Sequence, residues 1–76
     1  MDSGNDNDAY VAIYTEMESY ERMGVTLLMD QRRSSPMQVA DNHAAYGSEN
    51  YMRDYILEDG YLKEIHFDML PRNRDD

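Results

Sequence analysis

The residues best placed to do chemistry are His66 and the acids around it. Glu64, His66 and Asp68 alternate along one run, and period-two alternation puts all three on one face of a strand. Asp54, in the run before, falls across from them. Imidazole with carboxylates is a ligand set for zinc and related metals. An acid-rich strand turns its charges outward in any case, and a lone outward His needs no ligand, so we expect no metal here. Asp2, Asp6 and Asp8 suggest part of a calcium loop, but the Gly and the distal Glu that such a loop needs are not at its spacing. There is no G-x-S-x-G, no P-loop, no H-E-x-x-H and no Cys nucleophile. With 16 acids in 76 residues, close carboxylate pairs arise by chance. A chain this small has little room for a ligand pocket of about 300 Å3. The expectation is therefore a protein with no catalytic residues and no cofactor.

These side chains need a scaffold, and Asn50–Met69 is its most legible part. Two apolar-rich runs, Tyr51–Leu57 and Tyr61–Met69, flank Glu58-Asp59-Gly60. Asp-Gly between such runs marks a hairpin, because Gly accepts the positive φ of a tight turn. A three-residue loop sets Leu57 opposite Tyr61, Tyr55 opposite Lys63, Arg53 opposite Ile65 and Tyr51 opposite Phe67. Tyr51, Tyr55, Leu57, Tyr61, Ile65 and Phe67 then share the covered face, and Arg53 and Lys63 fall there too, their stems along it and their charges at the rim. The rival is a helix over 49–58, capped by Ser48 and ended by Gly60.

Upstream, residues 1–7 are polar and are expected to be disordered. Asp8 caps a helix over 9–23 with Tyr10, Ile13, Tyr14, Met17 and Tyr20 inward and Glu16, Glu18, Ser19 and Arg22 outward. Val25–Gln31 reads as a strand with Val25, Leu27 and Met29 on its buried side. Residues 32–36, RRSSP, form a linker. Ser35, Pro36 and Gln38 make a capping box for a helix over 36–46, with Met37, Ala40 and Ala44 inward and Gly47 at its end. Pro71 closes the last strand, and 72–76 should fray. The expected fold is a single α+β domain over 8–71. It is a small two-layer domain with the N-terminal helix packed on a three-stranded, mostly antiparallel sheet that ends in a C-terminal hairpin.

Charge is the main clue to function. Sixteen acids against seven Lys and Arg give −9, with −6 in residues 1–31 and −5 in 41–70. The acid is thus spread over the folded part. Such a surface repels nucleic acid and anionic membranes and attracts basic surfaces. Arg32-Arg33 alone is a poor nucleic-acid patch. No apolar run approaches the roughly 20 residues of a membrane span. The start MDSGNDND lacks a secretory signal, so a cytoplasmic location is expected. Seven Tyr with no Trp suit a contact face.

In size and composition the chain is similar to phage and mobile-element inhibitors, including anti-CRISPR proteins and other DNA mimics. That resemblance implies a small acidic protein that binds and blocks a basic, nucleic-acid-binding surface of a partner protein. It implies no direct nucleic acid binding, no membrane association, and a monomer or homodimer. From the residues themselves, the expected contact set is Asp54, Glu64, Asp68, Glu16, Glu18 and Tyr51. The alternative is a dimerising subunit or chaperone-like module that uses a Tyr/Met surface.

Overall fold

A computed structural model describes residues 4–71; residues 1–3 and the tail 72–76, expected to fray, lie outside the described residues, and residues 4–7, expected to be disordered together with 1–3, belong to a helix. The elements run α1 (Gly4–Arg22), β1 (Thr26–Met29), β2 (Arg32–Arg33), α2 (Pro36–Tyr46), a single 3-10 turn (Ser48–Asn50), β3 (Tyr51–Glu58) and β4 (Tyr61–Met69). The strands form one mixed sheet in the order β2-β1-β4-β3. Both helices lie on one side of it. The shortest dimension of the molecule is 18 Å, enough for one helix layer on one sheet and nothing more. Among the described residues nothing covers the other sheet face.

The α+β class, the two layers and the hairpin agree with the sequence reading, and the helical rival over 49–58 is excluded. The sheet differs in two details. It has four strands, and β1 pairs with β4 in parallel, Leu27 beside Ile65 and Met29 beside Phe67. The extra strand is Arg32–Arg33, read from sequence as linker. Asp30 and Gln31 form a two-residue turn with φ of 49° and 70°, a type I′ backbone that returns the chain along β1. Asp30 is held there by the end of β4. Its N–H donates to Phe67 O at 2.7 Å, and its Oδ1 accepts from Met69 N–H at 3.0 Å.

Helix α1 starts at Gly4, upstream of the expected cap at Asp8. Residues 4–8, GNDND, are all types favoured at helix starts, so composition does not single out one cap. The inward stripe holds for three of its five residues: Met17 is fully buried, and Ile13 and Tyr20 pack against the core, whereas Tyr10 and Tyr14 are half-buried and bond Asp41 and Glu18. Helix α2 has the expected bounds and capping box, Ser35 N–H donating to Gln38 Oε1 and Gln38 N–H to Ser35 Oγ. Its inward stripe is a correction. Pro36, Val39, Ala40 and His43 are buried, whereas Met37 is 55% exposed and Ala44 is also exposed. His43 goes inward because it is satisfied there. Its Nδ1–H donates to Val39 O at 2.8 Å, and its ring stacks on Tyr51 and meets Phe67 edge-on.

The hairpin register is also corrected. Tyr55 lies opposite Ile65, Arg53 opposite Phe67 and Tyr51 opposite Met69. This is a slip of two residues, which leaves every face assignment there unchanged. Near the turn, Ile56 pairs with Glu64 but Leu57 with Leu62, so Lys63 is an extra residue that bulges the strand. Leu62 therefore packs against the core in place of Tyr61. Leu57 and Tyr61, expected on the covered face, are 65% and 78% exposed, and Tyr55 is 49% exposed, because this end of the hairpin projects past the helices.

The turn itself has two residues, Asp59 at φ 56° and Gly60 at φ 83°. A Cβ at Gly60 would meet no atom within 4 Å, so only the backbone resists a side chain there. Gly60→Val is expected to cost about 1–2 kcal/mol through the left-handed penalty alone. A urea midpoint unchanged by the substitution would contradict this assignment.

Candidate functional site

The open face is built from residues that alternate away from the core. Beneath it, Leu27, Met29, Ile65 and Phe67 point at the helices and are buried. Thr26, Leu28, Glu64, His66 and Asp68 therefore point outward and are half-exposed. Pairing arranges them in rows. One row crosses the whole sheet as Arg33, Leu28, His66 and Asp54. Beside it run Thr26, Glu64 and Ile56, and at the other side Asp68 and Met52. Met52 is 51% and Ile56 37% exposed, so apolar patches alternate with charge. His66 Nε2 contacts Glu64 Oε1 at 2.7 Å. Lys63 is drawn to Glu58 at 2.9 Å, an exposed pair of little energetic weight.

Of the six residues expected to make contact, Asp54, Glu64 and Asp68 are brought together on this face. The other three lie elsewhere. Glu16 is on α1, where its Oε2 accepts from Arg53 Nη1 at 2.8 Å across the helix–sheet junction. Arg53 also donates to Tyr55 Oη at 3.0 Å, and its guanidinium sits 5.1 Å from the centre of the Phe67 ring. Burial alone would lower the pKa of Arg53, but the bonds to Tyr55 and Glu16 outweigh it and raise it. Glu16 thus fixes α1 to β3. Glu18 accepts from Tyr14 Oη at 3.2 Å and pairs with Arg22 at 3.7 Å. Tyr51 is stacked on His43, on the helix side of the sheet.

Sequence reasoning missed His43, since an imidazole in a helix reads as polar surface. It borders a cleft of about 500 Å3 that is also lined by Tyr10, Ile13, Ser48 and Glu49, so a small domain does hold a cavity of ligand size. Tyr10 Oη donates to Asp41 at 2.8 Å at this site. Among the described residues no hydrogen bond joins His43 to Ser48 or Glu49; the His43 Nδ1 bond goes to Val39 O. Among the described residues, no group of three His or acidic side chains is placed to hold a metal ion. No described helix is long and apolar enough to cross a membrane.

No family model, curated protein or solved structure matches the chain.

Tyrosine gives the fold a pH limit. Tyr20 and Tyr51 have pKa values raised first by burial, then by the charges of Glu16 and Asp30. Tyr14 is raised by the charge of Glu18, and Tyr10 by its hydrogen bond to Asp41. Above about pH 10 the unfolded chain releases phenol protons that the fold still holds, so stability falls as pH rises from there. The urea midpoint is expected to drop in step with phenolate absorbance above about pH 10, and a flat midpoint through about pH 11.5 would contradict it.

Proposed function

We propose that this is a small acidic binding protein, not an enzyme, that occupies a basic, nucleic-acid-binding surface of a partner protein with its open sheet face. One observation carries the reading: the helices leave one sheet face bare, and that face groups Asp54, Glu64 and Asp68 with Leu28, Met52 and Ile56. Carboxylates fixed on a sheet can stand in for backbone phosphates, and the apolar side chains between them supply contact area. Net −9 steers encounter with a cationic surface and disfavours direct binding to nucleic acid or to anionic membranes. A cytoplasmic setting, where such inhibitors act, belongs to the proposal, as does the likeness in composition to anti-CRISPR and other DNA-mimic proteins. The test is capture from host extract, identification by mass spectrometry, and competition. The captured protein should bind nucleic acid through a basic surface, and duplex DNA should displace the acidic protein. A captured partner that holds DNA and this protein at once, without mutual loss of affinity, would contradict the proposal.

A further inference from the structure

We propose that strand β3 is a self-association edge, through which two copies of the chain join into one eight-stranded sheet. The two sheet edges are not alike. On one side β2 has only two residues, a short edge that offers little to pair with. On the other, β3 runs eight residues, Tyr51–Glu58, and among the described residues no strand pairs with its outer edge. It has no Pro and no Lys. Its one cation, Arg53, is turned inward to Glu16. Met52, Tyr55, Ile56 and Leu57 are 37–65% exposed on the two faces of the same strand.

The charge pattern of β3 picks a second copy as occupant and fixes the register. Two-fold antiparallel pairing about an axis normal to the sheet keeps like faces together and sets the central residue opposite itself. Centred on Asp54, the strands oppose two aspartates. Centred on Ile56, they oppose Asp54 with Glu58, and centred on Arg53, two arginines. Centred on Leu57, they leave Tyr51–Tyr55 unpaired. Centred on Tyr55, no like charges meet: Tyr55 faces Tyr55, Asp54 faces Ile56, Arg53 faces Leu57 and Met52 faces Glu58. The aromatic pair sits at the axis, and exposed Leu57 gains the Arg53 stem. Both open faces then point the same way.

Two chains of −9 repel, so this association should tighten as salt rises from about 0.05 to about 0.5 M, opposite to the salt response of a basic partner. The experiment is sedimentation equilibrium of the full chain from about 10 µM to about 1 mM, with Leu57→Glu and Leu57→Arg alongside. Net charge alone predicts that Arg helps and Glu harms. The Tyr55 register predicts the reverse, since residue 57 faces Arg53 of the second copy: Leu57→Arg should weaken the dimer about tenfold or more relative to Leu57→Glu. Circular dichroism confirms that both variants are folded, and Leu57 is exposed enough to tolerate either. A mass twice 8.9 kDa with Glu above Arg in affinity supports the proposal. A monomer throughout in 0.5 M salt (roughly one short screening length), or a dimer in which Arg binds tighter than Glu, overturns it. Neither result depends on any basic partner.

Discussion

Phe67→Ala is expected to lower the free energy of unfolding by about 3–5 kcal/mol, and Ile65→Ala by about 2–5 kcal/mol. Both side chains are fully buried, and Phe67 is among the largest that are. Phe67 also joins three parts of the molecule. It pairs with Met29 on β1 and Arg53 on β3, and meets the His43 ring of α2. Truncation leaves a cavity where β1, β3 and α2 converge, and removes the ring under the Arg53 guanidinium. A domain of this size has a total margin of order 5 kcal/mol, so the Phe67 variant should keep little of its stability at room temperature. Tyr61→Ala, at 78% exposure on the neighbouring part of the same strand, should change stability by only about 0.5 kcal/mol or less. Urea melts measure all three. A Phe67→Ala shift below about 1 kcal/mol would place the core elsewhere.

The second large effect concerns the open face. Reversing Asp54 and Glu64 together to Lys should weaken capture of a basic partner by at least about tenfold, roughly 1.4 kcal/mol, with most of the loss in the association rate. Asp54 is exposed and Glu64 half-exposed, and neither supports the core. Glu64→Lys does remove the 2.7 Å partner of His66, but water can reach that half-exposed ring. The matching control on the helix side needs care. Glu16 and Glu18 are the acids that sequence suggests there, yet Glu16→Lys would set a cation against Arg53 and loosen α1 from the sheet. Asp8 and Glu21, both exposed on α1, are the cleaner pair. Their reversal changes net charge by the same amount on the covered side. It should cost far less affinity.

How much of this was legible in the sequence depended on how local each signal is. The α2 cap at Ser35–Gln38 and a turn at Asp59-Gly60 are written within a few residues; the cap stands as read, and the turn is in place but has two residues where three were expected, since Glu58 pairs with Tyr61. The alternation Glu64, His66, Asp68 needed only the strand period, and those side chains do share one face with Asp54. The parallel pairing of β1 with β4 was not readable, because those strands are separated by two other strands and a helix, and their register is settled by packing of Leu27 on Ile65 and Met29 on Phe67. The β2 turn was missed because Asp30-Gln31 carries no Gly. Its positive φ values are held by bonds to the distant end of β4. Glu16 and Tyr51 were misjudged as contact residues for a related reason, although Tyr51 does lie on the covered face as read. A charged or polar-tipped residue looks like surface until the partner that takes it, Arg53 or His43, is known.

The most direct measurement of the central claim is partner affinity for three forms of the chain, titrated in salt from about 0.05 to about 0.5 M. The forms are the unaltered chain, the Asp54→Lys/Glu64→Lys variant and the Asp8→Lys/Glu21→Lys variant, each bound to the partner recovered by capture. The open-face account predicts affinity that falls steeply with salt for the unaltered chain and the Asp8/Glu21 variant, and weak, nearly salt-independent binding for the Asp54/Glu64 variant. Equal affinities for all three forms, unchanged across that range, would contradict it.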